Sequence, residues 1–230
     1  MFFFFDPTYI LILIGIILSG LASAYVSRTF NKYNENTNKR GISGREAARA
    51  ILDSAGLQDV KIEHINGDLT DHYSPNERIL RLSDATDRNS TVAAVGVAAH
   101  EAGHAIQHQE NYMPMKLRSA IVPVVNIASS VAIPILLIGV LFSFNQTMIN
   151  IGIILFAATF IFQLITLPVE FNASNRAMNI IESSGILVDE EVGQARKVLN
   201  AAALTYVASA IASLLSVLRL FILFGGRNND

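Results

Sequence analysis

The chain has 230 residues, of which 51% are hydrophobic and only 16% are charged, and it contains no cysteine. A soluble globular domain normally carries more charge, so this composition indicates a membrane protein. The net charge of −2 excludes the basic surface that nucleic-acid binding requires. Because cysteine is missing, any bound metal must be held by histidine, aspartate or glutamate side chains.

Four runs of the sequence are apolar enough to cross a bilayer, which takes about 20 residues. The first lies within 7–27, and since no basic segment precedes it, we interpret it as a retained helix rather than a cleaved signal peptide. The uncharged run after residue 118 is interrupted by the polar residues 143–147, which predicts a hairpin of two spans at 121–143 and 147–167. The fourth run begins at Val198.

Lysine and arginine residues flank these runs unevenly. None precedes the first run, whereas five follow it within 28–45. By the positive-inside rule, the N-terminus is expected outside and the following segment in the cytoplasm. Arg227 fits less well, because a fourth crossing puts it outside unless the last run is tilted or interfacial. The expected segments are a membrane helix (1–27), a cytoplasmic segment with a small sheet and the HEAGH helix (28–118), a membrane hairpin (119–168), a cytoplasmic helical segment (169–197) and a membrane helix with a tail (198–230).

The first cytoplasmic segment is expected to contain both helix and strand. Ser43 and Glu46 match a capping box that begins a short amphipathic helix. Alternating side chains predict one strand at 60–65, which runs into the hairpin signal Asn66-Gly67, and a second strand at 79–82. We expect the second strand, extended to Ser83, to form an edge of the sheet along which an extended peptide can pair.

His100, Glu101 and His104 form the pattern His-Glu-x-x-His in a run of strong helix formers without proline. Residues four apart share one helix face, so both imidazoles can bind one zinc ion at about 2 Å. Glu101 then projects beside them, where its carboxylate can act as a general base on water. The alternative is a solvated helix face that carries two unrelated histidines, although the small flanking residues suit close packing against another helix.

A catalytic zinc ion needs three protein ligands and one open position. Glu170 is the preferred third ligand, because it is the first charge after the hairpin and opens a second helical stretch. Its alternative role is to stabilise a helix N-terminus. His108 is disfavoured because it lies about 12 Å along the helix from His100. Glu110 is disfavoured because the glycine turn it would require is replaced by Gln107.

Three stretches, AAHEAGHAIQ, LTDHYSP with the following LRLS, and LPVEFNASNRA, resemble the YugP-type membrane zinc metallopeptidases of bacteria over nearly the whole chain. The resemblance implies a mainly α-helical integral membrane protein of the bacterial plasma membrane. About four transmembrane helices would accompany a small, cytoplasmic, zincin-like α+β catalytic part. The implied site is gluzincin-like, with one Zn²⁺ per chain bound by His100, His104 and Glu170, and with Glu101 as the catalytic base.

More distantly, the chain is similar to the HtpX and CAAX-prenyl membrane peptidases. Those proteins carry an acidic residue four positions after the ligand glutamate, where this chain has Ser174, so Asn175 or Arg176 is expected to replace it. A donor to the reacting carbonyl oxygen is also needed. The candidates are His72, Tyr73, Tyr112 and Arg176, of which His72 and Arg176 are preferred. Ordinary packing in a turn is the alternative for His72 and Tyr73.

The expected function is therefore that of a membrane-embedded zinc metalloendopeptidase. Its expected partners are a peptide or membrane-protein substrate, the lipid bilayer, and either a membrane protein complex or further copies of the chain. One alternative is a non-catalytic adaptor that keeps zinc for structure and binds another protease or membrane complex. Such a site has no need of Glu101 beside an open position. Another alternative is a zinc hydrolase of a non-peptide amide, since the motif specifies water activation rather than the acyl group.

Overall fold

The computed structural model describes residues 6–225, which form six helices and one small sheet. In chain order the elements are α1 (Tyr9–Asn34), α2 (Gly44–Ser54), β1 (Lys61–His64), β2 (His72–Ser74), β3 (Ile79–Leu82), α3 (Val92–Gln109), α4 (Met113–Leu141), α5 (Gln146–Ser184) and α6 (Asp189–Phe224). Residues 1–5 of the predicted first segment and Arg227 lie outside the described residues. The chain is thus mainly helical, as predicted.

Four of these helices, α1, α4, α5 and α6, are long and apolar enough to cross a membrane. The number of these candidate helices agrees with the four predicted spans. Only 6% to 22% of the residues in their most apolar stretches are buried within the chain. In water, leucine and isoleucine side chains exposed in such numbers would promote association, whereas lipid tails solvate them. The outward faces of the four helices are therefore suited to a lipid environment.

The helix boundaries confirm some predictions and correct others. The break between α4 and α5 falls at the predicted polar stretch, where Asn145 Oδ1 accepts a hydrogen bond from the Met148 amide at 3.1 Å. Helix α1 continues past the predicted end at residue 27 to Asn34. The expectation that Glu170 opens a new helix is wrong, because α5 runs without a break through Pro168 and Glu170. Stabilisation of a helix N-terminus is therefore not available to Glu170 as a role.

Contacts divide the chain into two units. Among the described residues, one comprises 6–23, 117–167 and 205–225 and contains the apolar parts of the long helices. Small residues allow close helix packing in it, since a Cβ added to Gly152 would lie 2.5 Å from Leu136 Cγ. An ion pair at 3.3 Å joins Arg219 to Asp6. We call this unit the apolar unit.

The other unit, which we call the site unit, comprises residues 24–116 and 168–204. Its core joins the apolar faces of α2 and α3 to the inward side chains of β3 and to residues of α5 and α6. The predicted capping box at the start of α2 is confirmed, because Ser43 Oγ accepts from the Glu46 amide while Glu46 Oε2 accepts from the Ser43 amide. Ser43 donates to Glu46 Oε2 from its backbone amide and from its hydroxyl, and these two hydrogen bonds, the backbone one first, lower the pKa of the Glu46 carboxyl.

The sheet has the strand order β1-β3-β2, with β3 parallel to β1 and antiparallel to β2. The predicted hairpin at Asn66-Gly67 is wrong. The turn instead binds the segment after β3, because the Gly67 amide donates to Asp84 Oδ2 at 2.8 Å and the Asp84 amide donates to the Gly67 carbonyl at 3.0 Å. The expectation that β3 is an edge strand is also wrong, since β3 lies between the other two strands. The strand β2, at the edge of the described sheet, contacts α3.

Candidate metal centre

Helix α3 places the two motif histidines on one face. Thr91 begins the helix by accepting a hydrogen bond from the Ala94 amide at 3.1 Å. One helical turn apart, the rings of His100 and His104 have centroids 4.7 Å apart and planes at 82° to each other. The ring edges thus converge on a common region, as the spacing of four residues predicts.

Glu170 on α5 completes the group. Its Oε2 atom lies 3.3 Å from His100 Nε2 and 3.4 Å from His104 Nε2. One ligand atom from each of these three residues lies within 4.8 Å of the other two. His104 and Glu170 are buried, and His100 is partly buried. The three residues predicted as metal ligands are therefore brought together, although the whole of α4 lies between α3 and α5 in the chain.

A glycine makes the approach of α5 to α3 possible. A Cβ added to Gly103 would lie 2.6 Å from the Ala173 carbonyl oxygen, which is closer than real contacts allow. The neighbouring Ala99 and Ala102 are fully buried. Small residues on α3 thus let the α5 backbone come near enough for Glu170 to reach both imidazoles.

The other nitrogen of each imidazole also has a partner. His100 Nδ1 lies 3.1 Å from Ser174 Oγ, and His104 Nδ1 lies 3.0 Å from Gln107 Oε1. The partner of His100 is therefore Ser174 itself, and not Asn175 or Arg176, which were expected to replace it in this role. With both Nδ1 atoms engaged, both Nε2 atoms are directed to the Glu170 carboxylate, which is the usual arrangement of histidines that bind metal through Nε2.

Glu101 lies beside this group and is held by the edge strand. Its Oε2 atom accepts a hydrogen bond of 3.0 Å from the Tyr73 amide of β2. Burial raises the pKa of the Glu101 carboxyl, against the lowering effect of His100 and His104. A carboxylate whose pKa is raised toward neutrality is a better proton acceptor at physiological pH. Sequence reasoning did not foresee the backbone contact from Tyr73.

The charges of the group favour a cation. Burial by itself would lower the pKa of His104, but the hydrogen bond to Glu170 and the charges of Glu101 and Glu170 outweigh it and raise that pKa. The buried Glu170 carboxylate and the partly buried Glu101 carboxylate, beside two imidazoles, favour a positive partner. Two nitrogen ligands and one carboxylate oxygen are a set that zinc accepts, and three protein ligands leave its fourth position open. The residues present therefore fit a catalytic zinc ion.

The disfavoured third ligands lie elsewhere. His108 Nδ1 is 2.9 Å from the Tyr73 hydroxyl, and Glu110 Oε2 is 2.7 Å from Arg176 Nη1. Burial lowers the pKa of His108. Neither residue belongs to the ligand group formed by the described residues. These positions agree with the sequence-based arguments, which were the axial distance for His108 and the missing glycine turn for Glu110.

The preferred donors to the reacting carbonyl oxygen have other contacts in this structure. His72 Nδ1 lies 2.9 Å from the Thr70 carbonyl oxygen. Arg176 Nε donates to Asn172 Oδ1 at 2.7 Å, and the guanidinium lies 5.9 Å from the centroid of the Tyr112 ring. A role for His72 or Arg176 at the reacting carbonyl stays a prediction.

Gln107 is the functional candidate that sequence reasoning missed. From the sequence, Gln107 was noted only because it stands where a glycine turn would be required. Its side chain is nevertheless fully buried and contacts His104. A glutamine three residues after a motif histidine is consistent with such a contact, because residues three apart are neighbours on a helix. The partners that orient its amide come from α5, and their positions depend on how the two helices pack.

Residues 8–225 match the sequence pattern of a family described as "Putative neutral zinc metallopeptidase". The chain is also similar to a protein of Bacillus subtilis (strain 168) named "Putative membrane protease YugP". The two are 49% identical over 214 residues, which cover 93% of this chain and 95% of that protein. No solved structure matches the chain. These similarities agree with the resemblance found in the three sequence stretches.

Proposed function

The chain belongs to the neutral zinc metallopeptidase family, and from this premise we propose that it is a membrane-embedded zinc metalloendopeptidase of the gluzincin type. The observation that carries the proposal is that Glu170 Oε2 lies 3.3 Å from His100 Nε2 and 3.4 Å from His104 Nε2, with the Glu101 carboxylate beside this group. Four helices suited to lipid accompany this group.

In this proposal His100, His104 and Glu170 hold one zinc ion. Zinc bound in such a site supplies Lewis acidity, which activates water and polarises the scissile carbonyl. Glu101 accepts the proton of the attacking water and then delivers it to the departing amine. The Tyr73 amide keeps the Glu101 carboxylate in place through the hydrogen bond of 3.0 Å. In the net reaction, water adds its hydroxyl to the carbonyl carbon and its proton to the departing amine.

Glu101 separates this proposal from a non-catalytic adaptor. A purely structural zinc site gains nothing from a partly buried carboxylate whose pKa is raised beside the ligands. A burial cost of this kind is typical of a group retained for proton transfer. The position of Glu101 therefore favours hydrolysis over a structural role for the metal.

Cleavage of an unfolded protein, such as casein, by the detergent-purified chain tests the proposal. We expect Glu101→Gln to keep its zinc and to lose at least about 100-fold of the cleavage rate, because the general base is removed while the ligands stay. Glu63→Gln, on the partly exposed strand β1, is the matched control and should cleave like the wild type. Equal cleavage by Glu101→Gln and the wild type would exclude this mechanism.

We further propose that the site unit lies on the cytoplasmic side of the plasma membrane, as the basic residues within 28–45 indicate. The absence of cysteine allows single cysteines to report orientation. In intact cells, a membrane-impermeant maleimide should label Thr147→Cys, at the hairpin turn, and should label Asn76→Cys only after permeabilisation; both positions are exposed. Labelling of Asn76→Cys in intact cells would show that the site unit lies outside the cell, which contradicts the proposal.

A further inference from the structure

The Gln107 side chain is fully buried and all the hydrogens of its amide are used. Its Nε2 atom donates to the Val169 carbonyl oxygen at 2.8 Å and to Asn172 Oδ1 at 2.9 Å. Its Oε1 atom lies 3.0 Å from His104 Nδ1. A primary amide has two hydrogens, and both are directed to α5. The amide oxygen is therefore the atom that faces the histidine.

The nitrogen and oxygen of the Gln107 amide can be assigned from the hydrogen-bonding capacity of its neighbours. Arg176 can only donate, so the Asn172 atom 2.7 Å from its Nε must be the oxygen. That same oxygen faces Gln107, so the Gln107 atom next to it must be the nitrogen. Gln107 then presents its oxygen to His104, whose Nδ1 must carry a hydrogen. In the neutral imidazole the lone pair is then on Nε2, the atom 3.4 Å from Glu170 Oε2, where it can bind a metal ion.

We propose that Arg176, Asn172 and Gln107 form a relay of positioning residues that fixes the tautomer and the ring orientation of His104 for metal binding. The inference rests on the proposed zinc site and gives these three residues a role that needs no contact with the metal. Partners of this kind keep a histidine ready to bind, and their loss typically lowers metal affinity by about 10-fold to 100-fold.

The relay is anchored at its far end. Arg176 Nη1 pairs with Glu110 at 2.7 Å, and the guanidinium lies 5.9 Å from the centroid of the Tyr112 ring. Both partners follow the C-terminus of α3, whereas Arg176 and Asn172 belong to α5. The relay thus connects the end of α3 to the helix that carries Glu170. Through this connection it orients the His104 ring.

The two imidazoles are held differently. The partner of His100 is the Ser174 hydroxyl, which can donate or accept and rotates freely. A hydroxyl therefore follows the histidine tautomer, whereas the oriented Gln107 amide imposes it. We expect Ser174→Ala to lower zinc affinity less than a substitution that removes the Gln107 amide.

The direct test is the zinc affinity of the detergent-purified full chain, measured by competition with a chelator. Gln107→Leu removes the amide and leaves a branched apolar side chain that is one atom shorter, and we expect it to weaken zinc binding about 10-fold to 100-fold. Gln109→Leu is the matched control, because Gln109 is exposed on the same helix. Its affinity should stay within about twofold of the wild type, as expected for a residue outside the metal's surroundings.

Asn172 gives a second test that does not depend on Gln107→Leu folding. Asn172→Asp keeps the oxygen that accepts from both Gln107 and Arg176, so its zinc affinity should resemble the wild type. Asn172→Ala removes that oxygen and should weaken zinc binding, although Asn172 does not contact His104. Asn175→Ala, on an exposed position of the same helix, is the control.

Thermal unfolding of the metal-free variants separates positioning from general destabilisation. The relay predicts that zinc affinity falls in Asn172→Ala and recovers in Asn172→Asp, whether or not the metal-free proteins differ in stability. Wild-type affinity in folded Gln107→Leu, or in Asn172→Ala, would overturn the relay and leave the zinc site intact. A wild-type chain that binds no zinc would instead overturn the proposed function, and the relay with it.

Discussion

The apolar unit and the site unit bury different kinds of side chain. Of the nine polar or charged residues buried in the described part of the chain, Thr166 belongs to the apolar unit and the other eight to the site unit. Gln107, Glu170 and Glu191 each meet defined partner atoms, as when Glu191 Oε1 accepts from the Lys39 amide at 2.7 Å. The apolar unit is thus constrained mainly by size and hydropathy, and the site unit by the identity of individual atoms.

The largest difference between the units is expected for leucine truncation. Leu82 is fully buried in the site unit, and Leu82→Ala should lower the free energy of unfolding by about 2–5 kcal/mol through lost burial and the cavity left behind. Leu21 of α1 is 64% exposed, and lipid or detergent can replace its lost contacts, so Leu21→Ala should change stability little. Denaturant titration in detergent measures both. Equal losses would mean that the face around Leu21 is covered by protein.

A smaller and sharper contrast comes from glycine to alanine. Gly103→Ala places a methyl group against the Ala173 carbonyl, and the forced shift should lower the free energy of unfolding by about 1–3 kcal/mol. It should also weaken zinc binding, because α5 carries Glu170. Gly20→Ala in α1 meets open space and should be neutral or stabilising by about 0.5–1 kcal/mol. Unchanged stability and zinc affinity in Gly103→Ala would show that the two helices are not in close contact there.

Local patterns in the sequence were sufficient to predict much of the fold. The four long apolar helices, the break between α4 and α5, and the capping box at Ser43 and Glu46 depend on nearby residues, and all are confirmed. The continuity of α5 was missed because Pro168 and the charge at Glu170 resemble a boundary. Lipid-facing and protein-facing stretches can nevertheless share one helix. Strand β2 was missed because its three residues are too few to show an alternating pattern, although it forms a local antiparallel hairpin with β3.

Some residues of the candidate site could be predicted from the sequence, whereas others could not. His100, Glu101 and His104 are close in sequence, and their helical spacing specifies one face. Glu170 could be selected because it is the first charged residue after the hairpin. The contact of Gln107 with α5 and that of the Tyr73 amide with Glu101 depend on tertiary packing. No short sequence pattern records such contacts, so the partners of the ligands required the structure.

The central claim is that His100, His104 and Glu170 hold one zinc ion. Its most direct test is the zinc content of detergent-purified wild type, Glu101→Gln and Glu170→Ala. Glu182→Ala, on an exposed position of the same helix, is the control. We predict one zinc ion per chain in wild type, Glu101→Gln and Glu182→Ala, and loss of zinc from Glu170→Ala. Full zinc occupancy in Glu170→Ala would contradict the assignment of the third ligand and, with it, the gluzincin-type site.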